Sequence, residues 1–454
     1  MKKLILIIAL GIGTMSFGQT NPAITSWLQN TTQTGSYYNA GSSVAIGNGI
    51  LVNCQAVQYS ANWAYVTATG VPAYVTGPFT GDGNPSQAQD QSAIFKIPLN
   101  PSQNTGTATA TTGGNIGVFI NGVALFDYRD GVAWNNATSA LCGGPGNPPC
   151  PGGPGASMPW NRDAIPAEML GFDCSKGHPA MGNYHHHQNP SAYNLDLAVI
   201  STICDLYAAD GLYAINPVEH SPLIGFSYDG FPIYGAYGYA NADGSGGVTR
   251  IKSGYQLRNI TTRTVWADGT DVTDGPAVNA TYFLGYFRED YEFVAHPGQE
   301  DYLDEHNGRF CVTPEYPAGI YCYFATVNAN HNSAYPYAVG PTFYGNVTAS
   351  IVASISEAVT TYTSVADVNE INTTTFNIFP NPTADVLIVQ SSGLQEQNIV
   401  AELVDATGKT IQTQTIYQGS TICYFNVSTL YSGTYFIKIN NGQSTTSYSV
   451  VIAE

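Results

Sequence analysis

The sequence predicts a mainly β protein, in which a β-rich body with one or two short helices precedes a small carboxy-terminal β-sandwich. Two observations support this fold class. The 454 residues include 48 Gly and 31 Tyr but only 10% charged residues, a composition that disfavours long amphipathic helices and favours strands joined by tight turns. Short apolar runs bounded by Gly, Pro and Asn recur along the chain, and its length predicts two or three domains.

The first 18 residues have the pattern of a secretory signal peptide. Lys2 and Lys3 precede an apolar segment, Leu4 to Gly13, that is too short to cross a bilayer. We expect cleavage near Gly18. No later stretch reaches the roughly 18 consecutive apolar residues that a transmembrane helix needs. The formal net charge of −18 disfavours binding to nucleic acid, because an acidic surface repels phosphate.

The rest of the chain divides into four predicted parts. They are a β-rich lead-in at 19–112, a larger domain at 113–349, a Ser/Thr-rich linker at 350–375 and a β-sandwich at 376–454. In the larger domain, Asn121-Gly122 between two apolar runs predicts a β-hairpin over residues 117–126. Residues 192–208 have the apolar spacing of a helix.

Eight cysteines in an exported chain indicate disulfides. Cys142 and Cys150 flank a short Gly/Pro-rich loop, and we expect a disulfide to close it. The sequence leaves several pairings open for the remaining cysteines before the linker, which are Cys54, Cys174, Cys204, Cys311 and Cys322.

Three motifs follow one another near the carboxy terminus: Phe379-Pro-Asn-Pro-Thr383, Asp405-Ala-Thr-Gly-Lys409 and Leu430-Tyr-Ser-Gly-Thr-Tyr-Phe-Ile-Lys-Ile439. In this order and position they resemble the sorting domain of type IX secretion substrates. The resemblance implies that the type IX secretion machinery is a partner of the chain. It also implies export across the outer membrane, followed by removal of this domain or attachment of the protein to the outer cell surface.

Five motifs lie between residues 115 and 345: Gly117-Val-Phe-Ile-Asn-Gly-Val123, Phe172-Asp-Cys-Ser-Lys-Gly-His-Pro179, Gly182-Asn-Tyr-His-His-His187, His220-Ser-Pro-Leu-Ile-Gly-Phe-Ser-Tyr-Asp-Gly-Phe-Pro-Ile-Tyr-Gly235 and Leu303-Asp-Glu-His-Asn-Gly-Arg-Phe310. Together they resemble the YHYH protein family, which is named for a Tyr-His-Tyr-His signature and has no settled biochemical activity. This chain departs from the signature at His186, which stands where the second Tyr is expected.

All eight histidines lie between His178 and His331, which makes this region the candidate site. In an extended strand, His185 and His187 point to one face, and His186 points to the other face with Tyr184. Two imidazoles on one face can bind a copper or zinc ion. The third ligand is expected from His178, His220 or His306. Candidates for further ligands, or for acceptors that orient the imidazoles, are Asp173, Asp229, Asp304, Glu305 and Tyr184.

The sequence also contains an internal echo. A turn with Asp173 leads through a proline to Gly182-Asn-Tyr184-His185, and a turn with Asp304 leads through a proline to Gly319-Ile-Tyr321-Cys322. A duplicated half-site would place His185 opposite Cys322 and Cys174 opposite His306, with both halves forming one cleft. In the alternative interpretation, Cys174 and Cys322 form a disulfide.

Two kinds of function remain open at this stage. The first is an extracellular domain with a histidine-centred metal site, which is catalytic if the metal activates water or oxygen. The alternative is a non-catalytic extracellular module that binds glycans or proteins through its many tyrosines. A surface loop from Asp268 to Gly275, with Asp271 and Asp274, is a candidate calcium site.

Overall fold

A computed structural model of the chain describes residues 21–80, 87–144, 146–152, 157–191, 202–207, 211–363, 376–393, 395, 398–440 and 445–453. The predicted signal peptide lies outside these residues, as do positions 192–201 and 208 of the predicted helix. The mainly β fold class is confirmed. Within the predicted helix, Thr202–Asp205 forms a short 3₁₀ turn.

The first part of the chain begins with a short helix, α1 (Pro22–Thr25), and continues with strands β1 (Thr34–Tyr37), β2 (Ile46–Leu51), β3 (Cys54–Tyr59), β4 (Trp63–Ala68), β5 (Ala93–Pro98) and β6 (Thr109–Ala110). The next part contains β7 (Asn115–Phe119), β8 (Ala124–Phe126), β9 (Arg129–Asn135), β10 (Ala140–Cys142), β11 (Asn161–Asp163), helix α2 (Ala164–Glu168), β12 (His178–Ala180) and β13 (Asn183–His186).

Eleven further strands complete the body, and most of them are short. They are β14 (Leu223–Ser227), β15 (Pro232–Tyr234), β16 (Tyr237–Tyr239), β17 (Val248–Arg250), β18 (Tyr255–Leu257), β19 (Tyr291–Phe293), β20 (Gly308–Cys311), β21 (Ile320–Phe324), β22 (Thr342–Phe343), β23 (Ser350–Val352) and β24 (Thr360–Tyr362).

The largest sheet has eight strands in the order β12-β13-β8-β7-β14-β15-β21-β20. From either edge inward, the pairings are antiparallel, parallel and antiparallel, and the inner strands β7 and β14 are antiparallel to each other. The strand pattern therefore has pseudo-two-fold symmetry about the β7–β14 pair. The hairpin predicted at Asn121-Gly122 is confirmed as β7–β8, and its counterpart β14–β15 turns at Asp229-Gly230.

Matching loops precede the outer hairpins of the two halves. The Asp173 backbone N–H donates to Gly177 O at 2.9 Å, and the Asp304 backbone N–H donates to Gly308 O at 3.0 Å. In each loop the aspartate Oδ1 accepts from the same glycine N–H at 3.1 Å. The duplication suggested by the sequence echo is therefore present in the backbone.

The matching loops correct one detail of the sequence interpretation. Because Asp173 corresponds to Asp304, Cys174 corresponds to Glu305 and not to His306. The parallel strand pairs place His185 beside Ala124 and Tyr323 beside Ile233. When the β7–β8 and β14–β15 hairpins are aligned at their turns, Ala124 corresponds to the residue before Ile233. His185 therefore corresponds to the residue before Tyr323, which is Cys322, as the sequence predicted.

The lead-in and the larger domain share their hydrophobic cores. A five-stranded sheet, in the order β23-β5-β4-β3-β24, packs against one face of the eight-stranded sheet. Phe95 from the first sheet and Phe226 from the second belong to one buried cluster. A second cluster combines Tyr74 of the lead-in with Phe119 and Tyr184. The described residues of the β-rich lead-in thus pack into the same cores as the larger domain.

The predicted linker is wrong at two segments of its first half. Ser350–Val352 pairs with β5 and Thr360–Tyr362 pairs with β3, so both segments are edge strands of the five-stranded sheet. The Ser, Thr and Val residues that suggested a spacer also have high β propensity, and short exposed strands are typical of sheet edges. Residues 364–375 lie outside the described part of the chain.

The carboxy-terminal unit is the predicted β-sandwich. A three-stranded sheet in the order β25-β26-β29 faces a four-stranded sheet in the order β28-β27-β30-β31, with a core that both sheets supply. The strands are β25 (Phe376–Phe379), β26 (Val386–Ser391), β27 (Ile399–Val404), β28 (Thr410–Ile416), β29 (Ile422–Asn426), β30 (Gly433–Asn440) and β31 (Thr445–Ile452).

Two disulfides connect parts of the body. Cys142–Cys150 closes the loop that the sequence predicted. Cys174–Cys204 is the second disulfide, so the alternative pairing of Cys174 with Cys322 is wrong.

The duplicated loops generate a stability prediction. Tyr184 is fully buried, and its hydroxyl donates to both carboxylate oxygens of Asp173 at 3.0 and 3.1 Å. Tyr184→Phe removes this donor from a buried carboxylate, and we expect a loss of about 1–3 kcal/mol in the free energy of unfolding. The control is Tyr431→Phe at a residue that is 90% exposed, for which urea unfolding should show a change below about 0.5 kcal/mol. Equal effects of the two substitutions would contradict this role.

Candidate metal centre

The β12–β13 hairpin brings the first two histidines together. Its turn contains Met181 and Gly182, both with positive φ (51° and 89°), which is the backbone that a tight two-residue turn requires. In the antiparallel register that results, His178 lies directly opposite His185. Directly opposed residues of paired strands project from the same face, so these two imidazoles meet.

The strand periodicity separates the three consecutive histidines. His187 follows His185 on the same face, and Tyr184 and His186 point into the opposite, core face. His186 is completely buried there, with Nε2 at 2.8 Å from the Tyr74 hydroxyl and Nδ1 at 3.0 Å from Lys176 O. Both ring nitrogens of His186 therefore have protein partners, and this side chain is part of the core.

Three imidazoles converge on the other face. The ligand nitrogens of His178, His185 and His187 all lie within 4.8 Å of one another, and Nε2 of His185 is 3.1 Å from Nε2 of His187. All three side chains are buried. Burial lowers the pKa of His185 well below its usual range, and the neighbouring His187 and His178 lower it further. The His185 imidazole is therefore neutral at neutral pH, the form that binds metals.

Backbone carbonyls determine the orientation of two of these rings. Nδ1 of His185 is 2.9 Å from Asn183 O, and Nδ1 of His187 is 2.6 Å from Asp127 O. A carbonyl oxygen only accepts hydrogen bonds, so each Nδ1 carries a proton, and in its neutral form each ring presents a bare Nε2 lone pair. The two Nε2 atoms face each other at 3.1 Å. Two neutral rings in this arrangement repel each other unless a proton or a metal ion lies between the nitrogens.

Glu168 adds a carboxylate to the three imidazoles. It is the last residue of α2, which begins where the Asp163 side chain accepts from the Ile165 N–H. Glu168 Oε2 lies 3.2 Å from Nε2 of both His178 and His187. Burial raises the pKa of Glu168, but its contacts with these two histidines outweigh that effect and lower the pKa overall. Glu168 is therefore ionised and its charge faces the imidazole nitrogens.

Aromatic rings enclose the centre. Phe126 stacks on His185 with 3.8 Å between ring centroids and 18° between planes. Phe172 meets His178 edge-on at 4.9 Å and also contacts His187. The side chain of Glu168 is 21% exposed, whereas those of His178 and His187 are 7% and 3% exposed. The carboxylate thus lies on the solvent side of the group.

The other two histidines proposed as third ligands lie elsewhere. His220 Nδ1 is 2.7 Å from Ser221 O, and the ring lines a cavity of about 620 Å³ together with Glu315. His306 Nδ1 is 2.8 Å from the hydroxyl oxygen of Thr342. Because the β12–β13 register already opposes His178 to His185, the third imidazole comes from the same hairpin. The expectation that both halves form one cleft is therefore wrong.

The acidic residues proposed from the sequence have other partners. The carboxylates of Asp173, Asp304 and Asp229 accept from the hydroxyls of Tyr184, Tyr321 and Tyr323, respectively. Tyr184 therefore donates a hydrogen bond to the Asp173 loop on the core face and does not orient the histidines. Glu305 has a side chain that is 59% exposed and lies 4.0 Å from the His306 ring.

No pattern in the sequence indicated Glu168 as a site residue. The helix that presents it has only five residues and includes Pro166, so it is too short to show a helical period.

The candidate calcium loop also differs from expectation. Asp268, Asp271 and Asp274 are exposed, and Asp268 Oδ1 accepts from Thr270. Among the described residues, only the three histidines form a group of at least three close metal-binding side chains.

The sequence model of the YHYH proteins matches residues 94–335, which is more than half of the chain. The chain belongs to the YHYH protein family. Its match begins inside β5, in agreement with a body that includes the five-stranded sheet. No curated protein matches the chain.

A second family, the secretion system C-terminal sorting domain, matches residues 377–453. This match covers the carboxy-terminal sandwich and identifies the YHYH protein as an exported protein, either secreted or held at the cell surface. In the described part of the chain, no helix is both long enough and apolar enough to span a membrane.

The geometry predicts that Glu168 contributes to metal affinity. Glu168→Gln keeps the shape of the side chain but removes its charge, and we expect zinc affinity to fall at least about tenfold. Isothermal titration of the full-length protein measures this change. The matched control is Glu305→Gln in the corresponding half, where the exposed carboxylate should leave the affinity unchanged. Equal affinities for Glu168→Gln and the wild type would show that Glu168 is not a ligand.

Proposed function

We propose that this exported YHYH protein binds one zinc or copper ion between His178, His185, His187 and Glu168, and that the ion stabilises the body. The observation that carries the proposal is the pair of Nε2 atoms, 3.1 Å apart, in His185 and His187. Their orientation is imposed by backbone carbonyls. A metal ion removes the repulsion between the two lone pairs and uses both of them as ligands.

The distances support a single tetrahedral ion. Two ligand atoms that are each about 2.0–2.1 Å from a tetrahedral ion stand about 3.3 Å from each other. The separations of 3.1 Å between His185 and His187 and of 3.2 Å from Glu168 to His178 and His187 are close to this value. The other pairs of imidazole nitrogens lie within 4.8 Å of one another, so binding of a single ion draws these ligands together.

The ligand types support a transition metal. Imidazole nitrogen suits zinc and copper, whereas magnesium and calcium prefer oxygen ligands. Three imidazoles and one carboxylate also match the four-coordinate geometry of zinc. Copper competes well for such ligands, because it stands above zinc in the affinity order of divalent metals.

The number of protein ligands supports a structural role. Catalytic zinc sites keep an open position for water or substrate, and structural sites are closed by four protein ligands. Here four protein ligands are available, and Phe126 and Phe172 cover the imidazoles. An ion at this place joins the β12–β13 hairpin, at the edge of the large sheet, to helix α2.

Metal titration tests this function. We expect the full-length exported protein to bind one equivalent of zinc or copper and to melt several degrees higher with metal than after chelation, because a ligand that binds only the folded state stabilises it. The substitutions His185→Ala and His187→Ala should abolish this stabilisation.

The matched control is His296→Ala, since His296 stacks on Tyr302 and is outside the group. This variant should keep both the stoichiometry and the melting shift, and circular dichroism establishes that each variant is folded. Binding of neither zinc nor copper by the wild type, with a melting temperature that a chelator does not change, would contradict the proposal.

A further inference from the structure

The second half of the large sheet has different residues at the position that corresponds to the metal centre. Strands β20 and β21 correspond to β12 and β13. Arg309, opposite Cys322, takes the place of His178 opposite His185. The position of His187 is taken by Phe324. A guanidinium and a phenyl ring do not ligate metals, so the second half lacks the donor set of the first.

Two cysteines lie together at this position instead. Cys311 pairs with Ile320 and Cys322 pairs with Arg309, so the two cysteines project from the same face and are diagonal neighbours. Both are free thiols in this structure, and each changes the pKa of the other. Both residues are fully buried, which leaves few other partners that could reach either sulfur.

The two thiols differ in pKa in the folded chain. Cys322 lowers the pKa of Cys311, with a further contribution from the Arg309 guanidinium, although burial acts in the opposite direction. Burial raises the pKa of Cys322 well above its usual range.

The compartment and the cysteine count also favour a disulfide between Cys311 and Cys322. The sorting domain takes the chain out of the cytoplasm. Disulfides form and persist in the oxidising compartments outside it. The body before the sorting domain has seven cysteines, and four of them form Cys142–Cys150 and Cys174–Cys204. A pairing of Cys311 with Cys322 leaves only Cys54, a buried residue whose sulfur contacts Ile120 O at 3.5 Å.

We propose that Cys311 and Cys322 are oxidised to a third disulfide in the exported protein. The oxidant is a protein or small-molecule disulfide of the export compartment. The oxidation takes place during export, before folding buries the two sulfurs. One thiolate of the pair attacks one sulfur of that disulfide and displaces the other as a thiolate, and the second thiolate of the pair then attacks the protein sulfur of the mixed disulfide and displaces the second thiolate of the oxidant.

The overall reaction transfers two electrons from the two cysteines to the oxidant. Cys311 and Cys322 lose two protons and two electrons and gain one S–S bond, and the oxidant disulfide is reduced to two thiols. The bond joins β20 to β21 covalently at one edge of the sheet. At the opposite edge, the hairpin β12–β13 has the histidine centre in the corresponding place.

Peptide mapping tests the disulfide in the exported protein. The protein is denatured without reductant, alkylated, digested and analysed by mass spectrometry. We expect Cys54 to be alkylated, and we expect a cross-linked peptide pair that contains Cys311 and Cys322 and weighs two hydrogens less than the sum of its reduced members. After reduction, both cysteines should become alkylated.

A single substitution provides a control that does not depend on folding. In Cys311→Ser the partner is lost, so Cys322 should change from unalkylated to alkylated. Cys54→Ser should leave the Cys311–Cys322 peptide in place. Alkylation of both Cys311 and Cys322 in the unreduced wild type would overturn the proposal, and so would a cross-link from either of them to another cysteine. The result does not depend on metal content, so it is separate from the test of the histidine centre.

Discussion

The opposed Nε2 atoms of His185 and His187 are the constraint on which the candidate site depends. Each ring donates its Nδ1 proton to a backbone carbonyl, of Asn183 in one case and of Asp127 in the other. The backbone therefore directs the two Nε2 atoms at each other in a buried place, where the lone pairs of two neutral rings repel each other. A cation between them turns this repulsion into coordination, and Glu168 supplies a negative charge that balances part of the charge of the ion.

The duplicated sheet explains why the centre has this location. Each half places an antiparallel hairpin at the sheet edge, after a loop in which an aspartate accepts from a glycine N–H and from a buried tyrosine hydroxyl. The loop and the tyrosine are common to both halves and belong to the fold. The residues on the opposite face of each hairpin differ, with histidines in one half and Arg309, Cys311 and Cys322 in the other. The shared backbone thus carries two different chemistries at equivalent positions.

Part of this architecture could be predicted from the sequence, because it depends on local rules. The two-residue period of a strand separated His186 from His185 and His187, and Asn121-Gly122 marked the first hairpin. The third imidazole depended on strand register, which a two-residue turn at Met181-Gly182 determines, and sequence spacing alone left His178, His220 and His306 as equal candidates. Glu168 was not predictable, because a five-residue helix has no period and its approach to the hairpin is a tertiary contact. The linker was misassigned because Ser, Thr and Val are typical of both spacers and edge strands.

Anomalous diffraction from crystals of the protein grown with zinc is the most direct test of the central claim. Data collected on both sides of the zinc absorption edge should show one strong peak about 2.0–2.1 Å from Nε2 of His178, His185 and His187 and from a carboxylate oxygen of Glu168. The difference between the two data sets identifies the element. A structure in which these four side chains surround no anomalous peak, or in which zinc binds only at other residues, would contradict the account.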